Sequence, residues 1–227
     1  MEKIYMLHGF MGTGKLHFKE QISHFDKRYL VDAVDLPGHG ANEYPSQEEY
    51  FKDTLEWLIQ YLESNGEGYL IGLSLGASLA IHTAMEKPNL VKGIMLTGYS
   101  PFIPKELEVI MENQYNHFLN IDKNDKETAS YFEAVHGSKW NKTLRTVLHS
   151  MTFKYPTVTN VGLSSLKVPT LLLNGDQEQH EVKAASYVKS ENPNLKVGLI
   201  PNAGHTANID NPALYNYIIE EFISGVK

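Results

Sequence analysis

Cysteine is absent from the 227 residues. That excludes disulfides and thiolate metal sites, and it fits a reducing compartment. Basic runs are also missing: 20 Lys plus Arg stand against 27 Asp plus Glu, a net charge of −7. Such a balance argues against nucleic acid or an anionic membrane surface as partner. The opening Met-Glu-Lys-Ile-Tyr-Met-Leu-His-Gly is too short an apolar run for a signal peptide or a membrane span. A cytoplasmic protein is the expectation, with no membrane partner and the oligomeric state left open. No internal repeat or low-complexity segment is present.

A chain of this length buries roughly 70% of its unfolded surface, enough for one domain with room for an insertion. Apolar strand candidates recur at 4–7, 30–35, 69–73, 93–97, 170–174 and 196–200. Several are continuous rather than alternating, as strands covered on both faces are. Helical patterns fall between them. Ser46-Gln47-Glu48-Glu49 reads as a capping box ahead of Phe51, Leu55, Leu58 and Leu62. Asn211-Pro212 opens a last helix with Leu214, Ile218 and Phe222 on one face. The alternation predicts an α/β fold with a doubly wound, mostly parallel sheet of about six strands.

One stretch breaks the alternation. Residues 101–166 carry helical patterns at 105–120, 127–136 and 139–151 with no strand between, bracketed by prolines at both ends. The expected division is a core of 1–100 and 167–227 and a helical cap of 101–166. Parallel sheets bind ligands at their carboxyl ends, which is where such a cap would sit. Phe102 and Trp140 are the aromatics expected to contact substrate there.

Residues 68–80 read Gly-Tyr-Leu-Ile-Gly-Leu-Ser-Leu-Gly-Ala-Ser-Leu-Ala. A serine in the sharp turn between a strand and a helix has its hydroxyl pushed clear of the backbone, and the crowded turn demands small residues two before and two after. Gly72 and Gly76 satisfy this, so Ser74 fits a nucleophile elbow. Pro88 stops the helix that follows.

Three other segments accompany the elbow: Leu-His-Gly-Phe-Met-Gly-Thr-Gly at 7–14, Asp-Leu-Pro-Gly-His-Gly at 35–40, and Gly204-His205. In that order the chain resembles the α/β-hydrolase fold over nearly its whole length. It looks most like small capped esterases and the menaquinone-pathway lyase group. The usual antiparallel strands ahead of the first parallel strand have no residues here, so a smaller sheet is expected.

The resemblance implies roles. Ser74 attacks a carbonyl and needs a base to take its proton, for which His205 is suited because imidazole titrates near neutrality. An acid orients the imidazole. The family register over Asn174-Gly175-Asp176-Gln177-Glu178 puts that acid on Glu178, with Asp176 an alternative. The backbone N–H groups of Phe10 and Leu75 are the implied oxyanion donors. His8 reads as bracing the first loop, His39 as a turn residue that could line the pocket, and His82 as structural. No cofactor or metal is implied, and the partner is a small-molecule acyl substrate.

Gly9-Phe10-Met11-Gly12-Thr13-Gly14-Lys15-Leu16 also approaches the phosphate loop of NTPases, with Asp35 where a second acid would fall. Leu16 lacks the hydroxyl that holds Mg²⁺, which weighs against that reading. Three functions stay open. The first is a serine hydrolase acting on an ester or thioester through an acyl-enzyme. The second is a non-hydrolytic lyase, against which Ser78 stands where the menaquinone group carries arginine. The third is a catalytically silent binding module.

Overall fold

A computed structural model describes residues 1–226. The first half of the chain runs β1 (Lys3–Leu7), α1 (Gly14–His17), α2 (Lys19–Phe25), β2 (Leu30–Val34), α3 (Tyr50–Asn65), β3 (Gly68–Leu73), α4 (Leu75–Glu86) and β4 (Val91–Thr97). Five helices then follow without a strand: α5 (Lys105–Leu119), α6 (Ile121–Asn124), α7 (Lys126–His136), α8 (Trp140–Phe153) and α9 (Asn160–Ser165). The chain ends with β5 (Thr170–Gly175), α10 (Gln179–Glu191), β6 (Lys196–Ile200), α11 (Ala207–Asp210) and α12 (Pro212–Val226).

The six strands form one parallel sheet in the order β2-β1-β3-β4-β5-β6. From β1 the chain steps outward to β2, then crosses back to place β3 on the other side of β1. The direction of winding therefore reverses between β1 and β3. At such a switch point the loops diverge and leave a crevice beyond the carboxyl ends of the strands. The loop after β1 and the turn after β3 both open there.

Successive side chains of a strand face opposite sides of the sheet, and the core divides accordingly. Tyr5, Leu7, Leu70, Ile94, Leu96 and Leu172 pack beneath α3 and α4. Ile4, Met6, Tyr69, Ile71, Met95, Leu171 and Leu173 pack on the other face against Phe18, Phe25, Tyr215, Ile219 and Ile223. Both faces are covered, which accounts for the continuous apolar strands.

One expectation from the sequence fails in detail and another is refined by packing. Ser46 caps no helix: α3 begins at Tyr50 after Glu49, which makes no side-chain cap bond. Ser46 is instead buried, with its hydroxyl accepting from Thr143 Oγ1 at 3.3 Å. In α12 the fully buried stripe is Tyr215, Ile219 and Ile223, one residue on from Leu214, Ile218 and Phe222, which pack only partly against the core. An apolar run with hydrophobes at both registers does not fix its own rotation; packing does.

Residues 101–166 contain no strand, and their helices build an apolar cluster of Ile121, Ala129, Phe132, Leu144 and Leu148 that also takes in Met11 of the core. No side chain of α5 is fully buried. Among the described residues no helix is long and apolar enough to cross a membrane.

Candidate active site

Ser74 lies between the last residue of β3 and the first of α4, with φ 55° and ψ −112°. A side-chain-bearing residue in this region is strained by about 1–3 kcal/mol, a cost borne only where surroundings impose it. Here they do. Ser74 N–H donates to Thr97 O at 2.8 Å, continuing the ladder between β3 and β4, while the next residue already begins a helix. The flanking glycines are steric necessities. A Cβ on Gly72 would lie 2.4 Å from Gly76 O, and one on Gly76 would lie 1.9 Å from Leu7 O.

His205 occupies the loop between β6 and α11, and it lines the same cavity as Ser74. Its backbone turn is fixed by Asp210, whose carboxylate accepts from Gly204 N at 2.9 Å. Gly98, at φ +58° just after β4, provides its seat: a Cβ there would fall 2.9 Å from His205 Cε1. Gly98 carries no motif, and its part was not legible in the sequence.

The carboxylate against His205 is Glu181, a correction to the expected acid. His205 Nδ1 donates to Glu181 Oε1 at 2.5 Å, and the Glu181 side chain is only 1% exposed. Burial lowers the imidazole's pKa, but the hydrogen bond and charge of Glu181, aided by Glu178, outweigh it and hold His205 above its ordinary value. Neither expected acid holds the imidazole. Asp176 accepts from Asn202 N at 2.9 Å and so ties the strand ends together. Glu178 precedes α10, half exposed at the cavity wall, with His180 Nδ1 3.9 Å from its carboxylate. The segment enters a helix straight after Glu178, and the first turn of that helix carries Glu181 inward. The sequence held a signal for it: 181, 184, 185 and 188 form the buried stripe of α10, and Glu181 is the one acid on it.

Phe10 and Leu75 both line the cavity beside Ser74. Leu75 N–H belongs to the first turn of α4 and has no intrahelical acceptor. The loop carrying Phe10 is braced by His8, whose Nδ1 donates to Gly9 O at 2.8 Å while its Nε2 accepts from Leu36 N at 3.0 Å. Burial pushes His8 down to about 3, so it stays neutral in this bridging role. His39 is wholly buried behind His8 and lines no part of the cavity. His82 donates from Nδ1 to Ser78 O at 2.8 Å within α4.

The cavity measures about 500 Å³. Its roof is one face of α5, made of Leu107, Ile110, Met111, Gln114 and Phe118, with Leu148, Met151 and Thr152 of α8 beside it. Neither Phe102 nor Trp140 lines it, a second correction. Phe102 packs edge-on against Tyr187 at 5.1 Å, and Trp140 lies against Phe132 at 6.3 Å within the helical cluster. Residue size suggested these aromatics, whereas the i, i+3, i+4, i+7 stripe of α5 was the better guide. No Lys or Arg lines the cavity.

The resemblance to a phosphate loop dissolves in three dimensions. Gly14 N–H, which would face a phosphate, donates to Asp35 Oδ1 at 2.9 Å, and Thr13 caps the single turn of α1. An acid in that place repels phosphate. Among the described residues no group of three His, Asp or Glu is arranged to hold a metal ion.

A strained serine after the third strand, an imidazole after the sixth and a crevice at the switch point define an α/β-hydrolase architecture. The sequence profile of the alpha/beta hydrolase family matches residues 4–216, and the chain belongs to that family. The carboxylesterase YbfK of Bacillus subtilis (strain 168) is 24% identical over 97% of this chain and 79% of its own. A 2-(acetamidomethylene)succinate hydrolase of Mesorhizobium japonicum is 23% identical, over 92% of this chain and 83% of its own. Among solved structures, NosK from Streptomyces actuosus superimposes with a TM-score of 0.91 at 33% identity, covering 99% of this chain and 98% of that one. MenH from S. aureus shares the fold, with a TM-score of 0.81 at 21% identity over 99% and 94% of the two chains.

Proposed function

We propose that this protein is a serine hydrolase that cleaves a carboxylic ester or thioester of an uncharged, largely apolar acyl group through an acyl-enzyme on Ser74. One observation carries the reading: a serine held in a strained elbow shares its cavity with an imidazole whose far nitrogen is bound, at 2.5 Å, to a buried carboxylate. In this reading Glu181 accepts from Nδ1–H, which leaves Nε2 as the free base. His205 takes the Ser74 proton as Oγ attacks the acyl carbon, and Glu181 stabilises the imidazolium that forms. The developing oxyanion accepts from Phe10 and Leu75 N–H. His205 then returns the proton to the leaving alcohol or thiol, and water repeats the sequence to release the acid.

The lining supports the acyl class. Apolar groups from α5 and α8 would cover the acyl chain, and a carboxylate entering there would lose hydration with no Lys or Arg to replace it. Ser78 at the position where the menaquinone group has arginine weighs against the lyase reading in the same way. The test is active-site labelling with a fluorophosphonate, followed by a panel of neutral and carboxylate-bearing esters and thioesters. Labelling at Ser74, turnover of the neutral members and a loss of about 10³-fold or more in Ser74→Ala are expected. A protein that takes no label and turns over no acyl substrate overturns the reading in favour of the lyase or the silent module.

A further inference from the structure

The direction of the Phe10 N–H is set by what holds its own peptide and the turn that follows it. Gly9 O accepts from His8 Nδ1 at 2.8 Å and from Gly12 N at 3.2 Å. A trans peptide points its C=O and N–H oppositely, so with Gly9 O held by His8 and Gly12 the Phe10 N–H is held pointing away from both, on a residue that lines the cavity. The Gly12-to-Gly9 bond closes a turn with Met11 at its third position, and Met11 has φ 47°. Turns of this kind want glycine there. A methionine keeps that conformation only where its surroundings hold it.

The hold comes from the helical insert. The Met11 side chain is buried in the cluster of Phe132, Leu144 and Leu148. Its carbonyl accepts from His136 Nε2 at 3.1 Å, a contact 125 residues away in sequence, from the last residue of α7. His136 Nδ1 accepts from Gly40 N at 3.0 Å, so each nitrogen has a defined role and the ring must be neutral. Burial, the largest influence on it, holds it below its ordinary pKa. The imidazole is 1% exposed and meets His39 edge-on at 5.2 Å, and His39 in turn meets His8 at 4.8 Å. Two imidazoles thus hold the carbonyls of Gly9 and Met11, one from the start of the loop after β1 and one from the insert.

We propose that His136 is a positioning residue for the oxyanion site, through which the docked helical insert fixes the direction of the Phe10 N–H. The catalytic consequence rests on the hydrolase reading; the structural one does not. Asparagine places its amide oxygen where Nδ1 lies and so keeps the Gly40 contact while losing Met11. Glutamine places its amide nitrogen where Nε2 lies and does the reverse. His136→Asn is expected to lower kcat about 10- to 100-fold with KM nearly unchanged, the penalty of a misplaced donor. His136→Gln is expected to stay within about threefold of the parent, since it keeps the Met11 contact.

The backbone amide resonances of Phe10 and Met11 provide a readout independent of turnover. They should move in His136→Asn and stay in place in His136→Gln. Equal losses in the two variants, a loss confined to KM, or unmoved resonances in His136→Asn would overturn the proposal. A parent protein inert on every acyl substrate would defeat the hydrolase reading alone, and the resonances would still decide the role of His136.

Discussion

The two halves of the helical insert meet the core on different terms. The α7–α8 half is anchored: Phe132, His136, Thr143, Leu144 and Val147 are buried. Thr143 Oγ1 donates to Gly38 O at 3.0 Å, Lys139 bonds the carbonyl of Asn42, and His136 bridges Met11 and Gly40. Helix α5 itself has no buried side chain, and Val109 and Ile110 are 65% and 50% exposed. Yet α5 supplies most of the cavity roof. Elements that open readily have few buried apolar contacts. The division therefore separates a half tied to the core beside the site from a more exposed half that roofs the cavity.

The sharpest way to test the fixed side is to remove the charge behind His205. Glu181→Gln keeps the shape but loses the charge that stabilises imidazolium, and it should lower kcat by about 10²- to 10⁴-fold. Glu178→Gln and Asp176→Asn should each cost less than about tenfold, since one is half exposed and the other bonds Asn202 N. A collapse in either of these, with Glu181→Gln near the parent, would move the acid back to the loop. The pH profile gives a second measure. His205 must be neutral to act as base, so activity should fall as pH drops through its raised pKa, an acid limb above the ordinary histidine value. In Glu181→Gln the main raising influence is gone and the limb should shift to lower pH. An unmoved limb in the variant's residual activity would mean that Glu181 does not control the base.

How much of this was legible in the sequence follows the same division between local and long-range constraint. The elbow, the individual strands and the His205 loop are local: small residues at Gly72 and Gly76, short continuous apolar runs and a loop after the last strand announce themselves in a few neighbouring positions. The partner of His205 is not local. Glu181 becomes its neighbour only because α10 starts straight after Glu178 and turns that face toward the end of the sheet. Gly98 and His136 are further cases, the first a space for His205 and the second a bond across 125 positions, neither marked by a motif. Phe102 and Trp140 show the opposite error, in which residue size stood in for direction.

The fixed and open halves of the insert should also differ in stability. Leu144, at 1% exposure in the cluster that holds Met11, should cost about 2–5 kcal/mol when cut to alanine, as buried leucines do. Denaturant titration measures it, and because Met11 loses its support kcat should fall as well. Leu107→Ala on α5 is expected to cost less than about 1 kcal/mol, since Leu107 is only partly buried.

The smallest expected effect is the most specific one. Gln114→Arg places a cation at the edge of the otherwise uncharged roof. It should leave the melting temperature nearly unchanged, because Gln114 is exposed and the helix tolerates arginine. A cation offers a carboxylate-bearing acyl group the counter-charge that the parent cavity lacks, and partly screened pairs of this kind contribute about 0.2–1 kcal/mol. That converts to a gain of no more than about fivefold in kcat/KM for a carboxylate ester relative to its neutral homologue. The gain should shrink as salt is added, because an exposed pair is screened. Leu107→Ala should alter the preference between short and long neutral esters instead, with no salt dependence. If the same gain follows from an arginine on the anchored half, in place of Thr152 of the cavity lining, and not from Gln114, then α8 rather than α5 sorts the substrate.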